Sequence, residues 1–278
     1  MLSTFETLWS RRHLVRVLTR TNLQLIHGRT VLGSLWWILD PIMMTGVYTI
    51  VVGFIRGQGG MHDPYPAFLL CGLIAWKAFS QSIIQAITAL ARNEGLINSF
   101  SFPKAVIPLS IVFSTHILLG FAFWPLLLVV LFYEYVMSVA TIHLGLTVFF
   151  LPLLVFAQLT LSLGGALFLS ALGAFFKDLE NIMTHMLQAL MFLSPCLYSI
   201  VDVLPGYKGL ASLRWSGLRT FYVLNPMAHV LDGYRSAILY GRSPDLAGVF
   251  FALTVGVVST LLGLAYFRSQ ERRFAKVL

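Results

Sequence analysis

Residues Val106 through Tyr133 read VIPLSIVFSTHILLGFAFWPLLLVVLFY, with no Asp, Glu, Lys or Arg anywhere in the run. As a helix rising 1.5 Å per residue this stretch reaches roughly 40 Å, more than the about 30 Å of hydrocarbon in a bilayer. A soluble core helix has no use for an uncharged run of that length, so the stretch is read as a membrane-spanning helix. Working outward in both directions, five more segments qualify: Val31–Ile55, Pro66–Ala91, Ile142–Phe176, Ile182–Ile200 and Leu246–Phe267. Ile142–Phe176 is too long for one simple span and contains Pro152, so it is expected to begin with a bent or interfacial piece. Ile182–Ile200 is short and contains Pro195. The predicted fold is an all-α integral membrane protein with six transmembrane helices.

Composition agrees with the runs. Of the 278 residues 58% are hydrophobic and only 11% charged, with a mean hydropathy of +0.82. A soluble domain carries roughly 25% charged residues, so these charges could not cover a water-exposed surface. The net charge of +8 is not a nucleic-acid footprint, because the basic residues sit at the ends of apolar runs instead of forming one patch. With an inside N-terminus, 12 of the 19 basic residues fall in cytoplasmic segments and six in external ones, with Lys77 inside a span. That bias predicts both termini in the cytoplasm. Arg11, Arg12, Arg16, Arg20 and Arg29 interrupt any apolar core near the N-terminus, which is therefore not read as a secretory signal. Cys71 and Cys196 lie in apolar stretches without metal-ligand spacing and read as buried small residues.

The chain divides into residues 1–30 and a six-span domain, 31–278. Residues 4–29 alternate apolar and basic side chains at helical spacing. They read either as a helix lying in the membrane interface with its arginines on anionic headgroups, or as a solvated helix beside it. Residues 201–245 are too polar to span, yet keep apolar clusters such as Phe221-Tyr222-Val223-Leu224, and Pro205-Gly206 and Asn225-Pro226 break them into pieces. Short re-entrant helices dipping into the outer leaflet are expected there, tolerable where protein or water satisfies the broken backbone. No internal repeat is visible, which argues against an inverted-repeat transporter.

No nucleotide-binding G-x-x-x-x-G-K-[ST], no H-E-x-x-H, no G-x-S-x-G and no paired-cysteine metal site occurs. The histidines are scattered, and His116 and His185 read as packed within the bundle. The eleven acids are dispersed, with Asp178 and Glu180 the closest pair. The expectation is a chain that moves something or holds something and is not itself an enzyme. It binds no metal or cofactor, and any energy source must lie on a partner.

An ordered set of short motifs runs through the chain: Arg29-Thr30-Val31-Leu32-Gly33-Ser34-Leu35-Trp36-Trp37 with Asp40-Pro41, then Gly72-Leu73-Ile74-Ala75-Trp76, then Asn98 through Phe102-Pro103-Lys104, then Ser194-Pro195, and last Leu224-Asn225-Pro226-Met227 with Tyr234-Arg235. In that order over nearly the whole chain, the set resembles the membrane subunit of the ATP-binding-cassette exporters for O-antigen, capsule and teichoic-acid polymers. One departure is Tyr207–Leu218, longer than the usual pattern, which touches the shape of the outer gate. The resemblance implies a homodimer in the bacterial cytoplasmic membrane, bound to two copies of an ATPase subunit that holds ATP and Mg, and exporting a lipid-linked glycan. It implies that the loop 92–105 and the turn 177–181 couple to the ATPase, through Glu94, Leu96, Ile97, Pro103, Lys104, Lys177 and Asp178. It also implies that 201–245 forms an outer gate, with Pro205, Gly206, Asn225, Pro226, Tyr234 and Arg235. Two alternatives stay open: an exporter of the same fold for drugs or small lipids, and an integral-membrane glycosyl or phosphoryl transferase.

Two further pairs carry chemistry. Arg20 and Arg29 are placed to hold a diphosphate-lipid headgroup at the inner leaflet, or serve only as positive-inside anchors. Asp40 and Lys77 stand inside spans, where a lone charge costs roughly 2.5–3.5 kcal/mol. Counting 1.5 Å per residue from opposite ends of two antiparallel helices puts both at nearly the same depth, so they can pair. The other reading has Asp40 nearer the cytoplasmic end and Lys77 facing channel water alone.

Overall fold

The computed structural model of the chain describes residues 12–28, 32–56, 64–137, 145–199 and 216–277. Helix α1 (Arg12–Gly28) is followed by a 3-10 turn at Gly33–Leu35 and by α2 (Trp36–Arg56). Gly33 takes φ 49°, a left-handed backbone that a glycine adopts without strain. Helix α3 (Tyr65–Ile87) runs into the short pieces α4 (Ala89–Arg92) and α5 (Glu94–Ser99). The uncharged run from Val106 forms α6 (Val106–Leu131), ending in a π turn at Phe132–Val136. The long segment that follows is divided as its proline demands. A 3-10 stretch, Leu146–Phe150, leads into α7 (Leu151–Gly173), with Pro152 in the first turn, where a missing N–H leaves no bond unmade. Then come α8 (Leu179–Leu193), α9 (Ser216–Leu224), α10 (Pro226–Ile238) and α11 (Leu246–Val277).

Four described helices are long and apolar enough to cross a bilayer: Tyr65–Ile87, Val106–Val136, Leu146–Gly173 and Leu246–Glu271. The first expected span corresponds to α2, whose 21 residues rise about 31 Å. Helix α8 has 15 residues, or about 22 Å, and stops short of a full crossing. It ends because Pro195 forces Ser194 out of helical geometry, to φ −85° and ψ 153°.

Pairwise contacts fix the helix directions. Gln158 donates to the Ala75 carbonyl, and Gly173 lies against Ile87, so α7 runs parallel to α3. Thr260 donates to the Thr160 carbonyl, and Gly263 lies against Gly164 and Leu167, so α11 runs parallel to both. Ser82 and Thr115 share a hydrogen bond, and Ala86 clusters with Val112, which sets α6 antiparallel to α3. Helix α8 runs antiparallel to α3: Leu187 clusters with Ile83 and Ile87, and Cys196, just past the end of α8, lies against Gly72. These directions alternate as successive crossings require. They bring α1, the 92–105 loop, the 177–180 turn and the last turns of α11 to one end of the bundle.

The α7–α11 contact depends on small residues, which let two backbones close in where lipid gives no hydrophobic drive between helices. A Cβ on Gly164 would stand 2.7 Å from the Ser259 carbonyl carbon, and one on Gly263 would stand 2.8 Å from the Gly164 oxygen. Gly164→Val is therefore expected to lose about 1–3 kcal/mol through overpacking. Gly120→Ala, at a position with open space around it, is expected to be neutral. Thermal unfolding of the two purified variants checks the contrast, and equal midpoints would show that α7 and α11 do not meet through Gly164.

Candidate functional site

An ion pair joins α2 to α3, with Asp40 one turn into α2 and Lys77 midway along α3. Lys77 Nζ on α3 stands 2.9 Å from Asp40 Oδ2 on α2, donates also to the Trp36 carbonyl at 3.1 Å, and lies 5.2 Å from the centre of the Trp37 ring. The two charges that counting placed at one depth are thus brought together by the antiparallel α2–α3 pair. They stand where two cavities meet. One, of about 590 Å³, runs from the pair toward Arg92 and Asn93 between α1, α2 and α3. The other, of about 260 Å³, lies on the α8 side, against Tyr48, Trp76, Thr184 and Gln188. Both volumes fall in or near the range of ligand sites, roughly 300–1,000 Å³.

The wall of the larger cavity carries two residues not singled out from sequence, Gln81 and Gln85. With Lys77 they recur every fourth residue, one above the other on a single helix face. That spacing inside an apolar run was the signal available. Gln85 donates to Gln81 at 3.1 Å.

At the far end, four sequence motifs converge on one arginine. Arg235 on α10 is only 1% exposed. Its guanidinium donates to the Pro195 carbonyl at 2.5 Å and the Cys196 carbonyl at 2.6 Å, and stacks on Phe68 with 3.6 Å from its central carbon to the ring centre. These carbonyls lie in the turn where α8 breaks, and in hydrocarbon an unmet carbonyl is costly. Gly72 makes room: a Cβ there would stand 2.6 Å from Arg235 Nη2 and 2.9 Å from the Cys196 oxygen. Asn225 caps α10 by accepting from the Met227 N–H at 3.1 Å, with Pro226 at the first helical position, and donates to Ser194 Oγ at 2.9 Å. Tyr198 and Tyr222 join their hydroxyls across the same junction. Tyr234 is buried against Phe123. Pro205 and Gly206 lie outside the described residues.

At the opposite end the two expected coupling elements touch. Arg92 reaches Glu180 at 3.4 Å, and the Lys104 backbone N–H donates to Glu271 Oε1 at 2.8 Å, which ties the loop to α11. Glu94, Lys177 and Asp178 are exposed, while Leu96, Pro103 and Lys104 are half-buried. Ile97, expected at the surface, is buried with Leu90, Ile107, Phe267 and Phe274 and anchors α5 to the bundle. The large apolar groups left open here are Phe100, 66% exposed, and Phe176, 63% exposed, neither anticipated from sequence. Arg20 is exposed on α1, in step with Arg16 and Gln24, while Thr19 and Asn22 face Ser110 of α6. Arg29 lies outside the described residues. Among the described residues no group of His, Cys, Asp and Glu could hold a metal ion.

A family model described as ABC-2 type transporter matches residues 13–239. The chain is similar to the O-antigen export system permease protein RfbA of Myxococcus xanthus, 26% identical over 99% of both chains. It is also similar to RfbA of Klebsiella pneumoniae, 26% identical over 95% of both. The polysialic acid transport protein KpsM of Escherichia coli is 25% identical over 88% of each chain.

Proposed function

This chain belongs to the ABC-2 type transporter family, and from that premise we propose that it is the membrane subunit of an exporter moving a lipid-linked polysaccharide across the bacterial cytoplasmic membrane. The observation that carries the reading is full-length likeness to permeases named for two different polymers, O-antigen and polysialic acid. Likeness to permeases supports a transport subunit over a transferase. The chain works as a homodimer on two copies of a separate ATP-binding-cassette subunit, which holds ATP and Mg and supplies the energy.

In this reading the end carrying Arg92, Lys104 and Glu180 is cytoplasmic, and with it both chain termini. The partner ATPase docks on the 92–105 loop and the 177–180 turn, with Phe100 and Phe176 as apolar anchors inside a rim of Glu94, Lys177 and Asp178. Such a ring of polar groups around aromatic anchors suits a partner surface. The Ser194, Asn225 and Arg235 junction belongs to the outer gate.

Co-purification tests the reading. An ATP-binding-cassette subunit is expected to come with the tagged chain, and the lipid-linked glycan of the same cells to stimulate its ATP hydrolysis. A chain that purifies without any ATPase, or an ATPase indifferent to glycan, contradicts it. The same assay separates the two roles of the arginines. Arg20→Gln with Arg29→Gln is expected to lower glycan-stimulated hydrolysis several-fold with little effect on basal hydrolysis, because cations at the leaflet hold a diphosphate through charge-assisted bonds. Equal loss of both rates points to defective assembly and removes the headgroup role.

A further inference from the structure

The larger cavity beside the ion pair is lined by charges that are already compensated. Asp40 and Lys77 neutralise each other at 2.9 Å, and Arg92 is paired with Glu180. Among the described residues, the wall thus offers no unpaired cation to an anionic headgroup. It offers amides instead: Asn22, Gln81, Gln85 and Asn93. Gln81 and Gln85 bond to each other through one donor and one acceptor, which leaves the Gln81 amide nitrogen and the Gln85 carbonyl for a ligand. Nothing in the packing of α3 calls for them, and in an apolar run two leucines would be cheaper to place in hydrocarbon. Trp36, 45% exposed, adds a flat aromatic face on the opposite wall.

We infer that this groove, resting on the exporter reading above, binds neutral sugar rings of the transported glycan: Gln81 and Gln85 exchange hydrogen bonds with ring hydroxyls, and Trp36 stacks on a ring face. A side-chain amide donates and accepts at once, as a pair of neighbouring hydroxyls does, whereas a diphosphate only accepts and needs positive charge. From Gln85 to Lys77 the amide face climbs about 12 Å along α3, so the groove takes more than one ring and leads it toward the ion pair. The Lys77–Asp40 bond closes the top of this groove and borders the second cavity, which makes it the divide that a sugar chain passes next.

Two measurements in cells running the intact exporter test the site. A photoreactive benzoyl-phenylalanine in place of Gln85 is expected to give, on irradiation, a ladder of adducts spaced by the glycan repeat. The same probe in place of Ile117, exposed on α6, is expected to give none. Gln81→Leu with Gln85→Leu is expected to lower export about tenfold, equivalent to roughly 1.4 kcal/mol, with membrane insertion and ATPase association unchanged. Adducts with phospholipid alone, or with the diphosphate end of the carrier alone, overturn the sugar site. So does wild-type export by the double leucine variant. Should that variant fail to insert, single Gln85→Leu and the adduct pattern decide by the same criteria. Failure of ATPase co-purification in the unaltered chain overturns the exporter reading instead, a result separable from either.

Discussion

Arg235→Leu is expected to destabilise the purified chain by roughly 3 kcal/mol or more, a larger loss than that of Gly164→Val. Two carbonyls at the α8 break, those of Pro195 and Cys196, take their donors from this one guanidinium. Hydrogen bonds to a charged donor contribute about 1.5–3 kcal/mol each. Leucine fills part of the space over Phe68 but leaves both acceptors unmet in an apolar surround. Arg235→Lys should fall between, since an ammonium is a point charge that cannot fork to two carbonyls while lying flat on a ring. Gly72→Ala acts on the same assembly from the other side, because its new methyl would push against the guanidinium and the Cys196 carbonyl. The two lesions share their partners, so the double variant Gly72→Ala with Arg235→Leu is expected to lose less than the sum of the singles. Unfolding of the four proteins in one detergent measures this; simple additivity would mean that Gly72 and Arg235 do not form one unit.

Much of the fold was legible because lipid demands long uncharged helices, and charge-free runs of that length have few other readings. Pro152 was equally plain, since a missing N–H costs nothing in the first turn of a helix. Pro195 was not: Ile182–Ile200 read as one span, and prolines also stand inside helices, as Pro41 does in α2 and Pro125 in α6. The depth match of Asp40 and Lys77 was legible for a related reason: a straight helix turns residue number into height. What escaped depends on contacts between distant segments. Gly72 in an apolar run gives no hint that an arginine from α10 will reach it. Leu96 and Ile97 are adjacent and equally apolar, and only the packing of Phe267 and Phe274 from α11 decides that Ile97 turns inward. Phe176 closes an apolar run and Phe100 sits in a loop, and neither position tells from sequence that its ring is left exposed. Gln81 and Gln85 differ from these, for their four-residue spacing after Lys77 was readable and marks a polar face on an apolar helix.

Asp40→Lys alone is expected to abolish export, and Lys77→Asp alone to do the same. Each single exchange sets two like charges about 3 Å apart between α2 and α3. An uncompensated charge at a helix centre costs roughly 2.5–3.5 kcal/mol, and repulsion adds to it. The double exchange restores opposite charges at the same height and should recover export in part. Full recovery is not expected, because Lys77 also donates to the Trp36 carbonyl and lies against the Trp37 ring. An aspartate at 77 has no proton to give the first and is repelled by the face of the second. A second double variant separates holding the bundle together from guiding cargo. Asp40→Leu with Lys77→Met removes both charges without stranding either, and replacing a whole ion pair by apolar groups is often neutral for stability. If the pair only latches α2 to α3, this variant exports normally. If the pair divides the two cavities and yields to the passing chain, the protein assembles with its ATPase, hydrolyses ATP at the basal rate and loses export. Recovery in neither double variant, with assembly intact in both, would show that the two charges act separately and that their contact plays no part in transport.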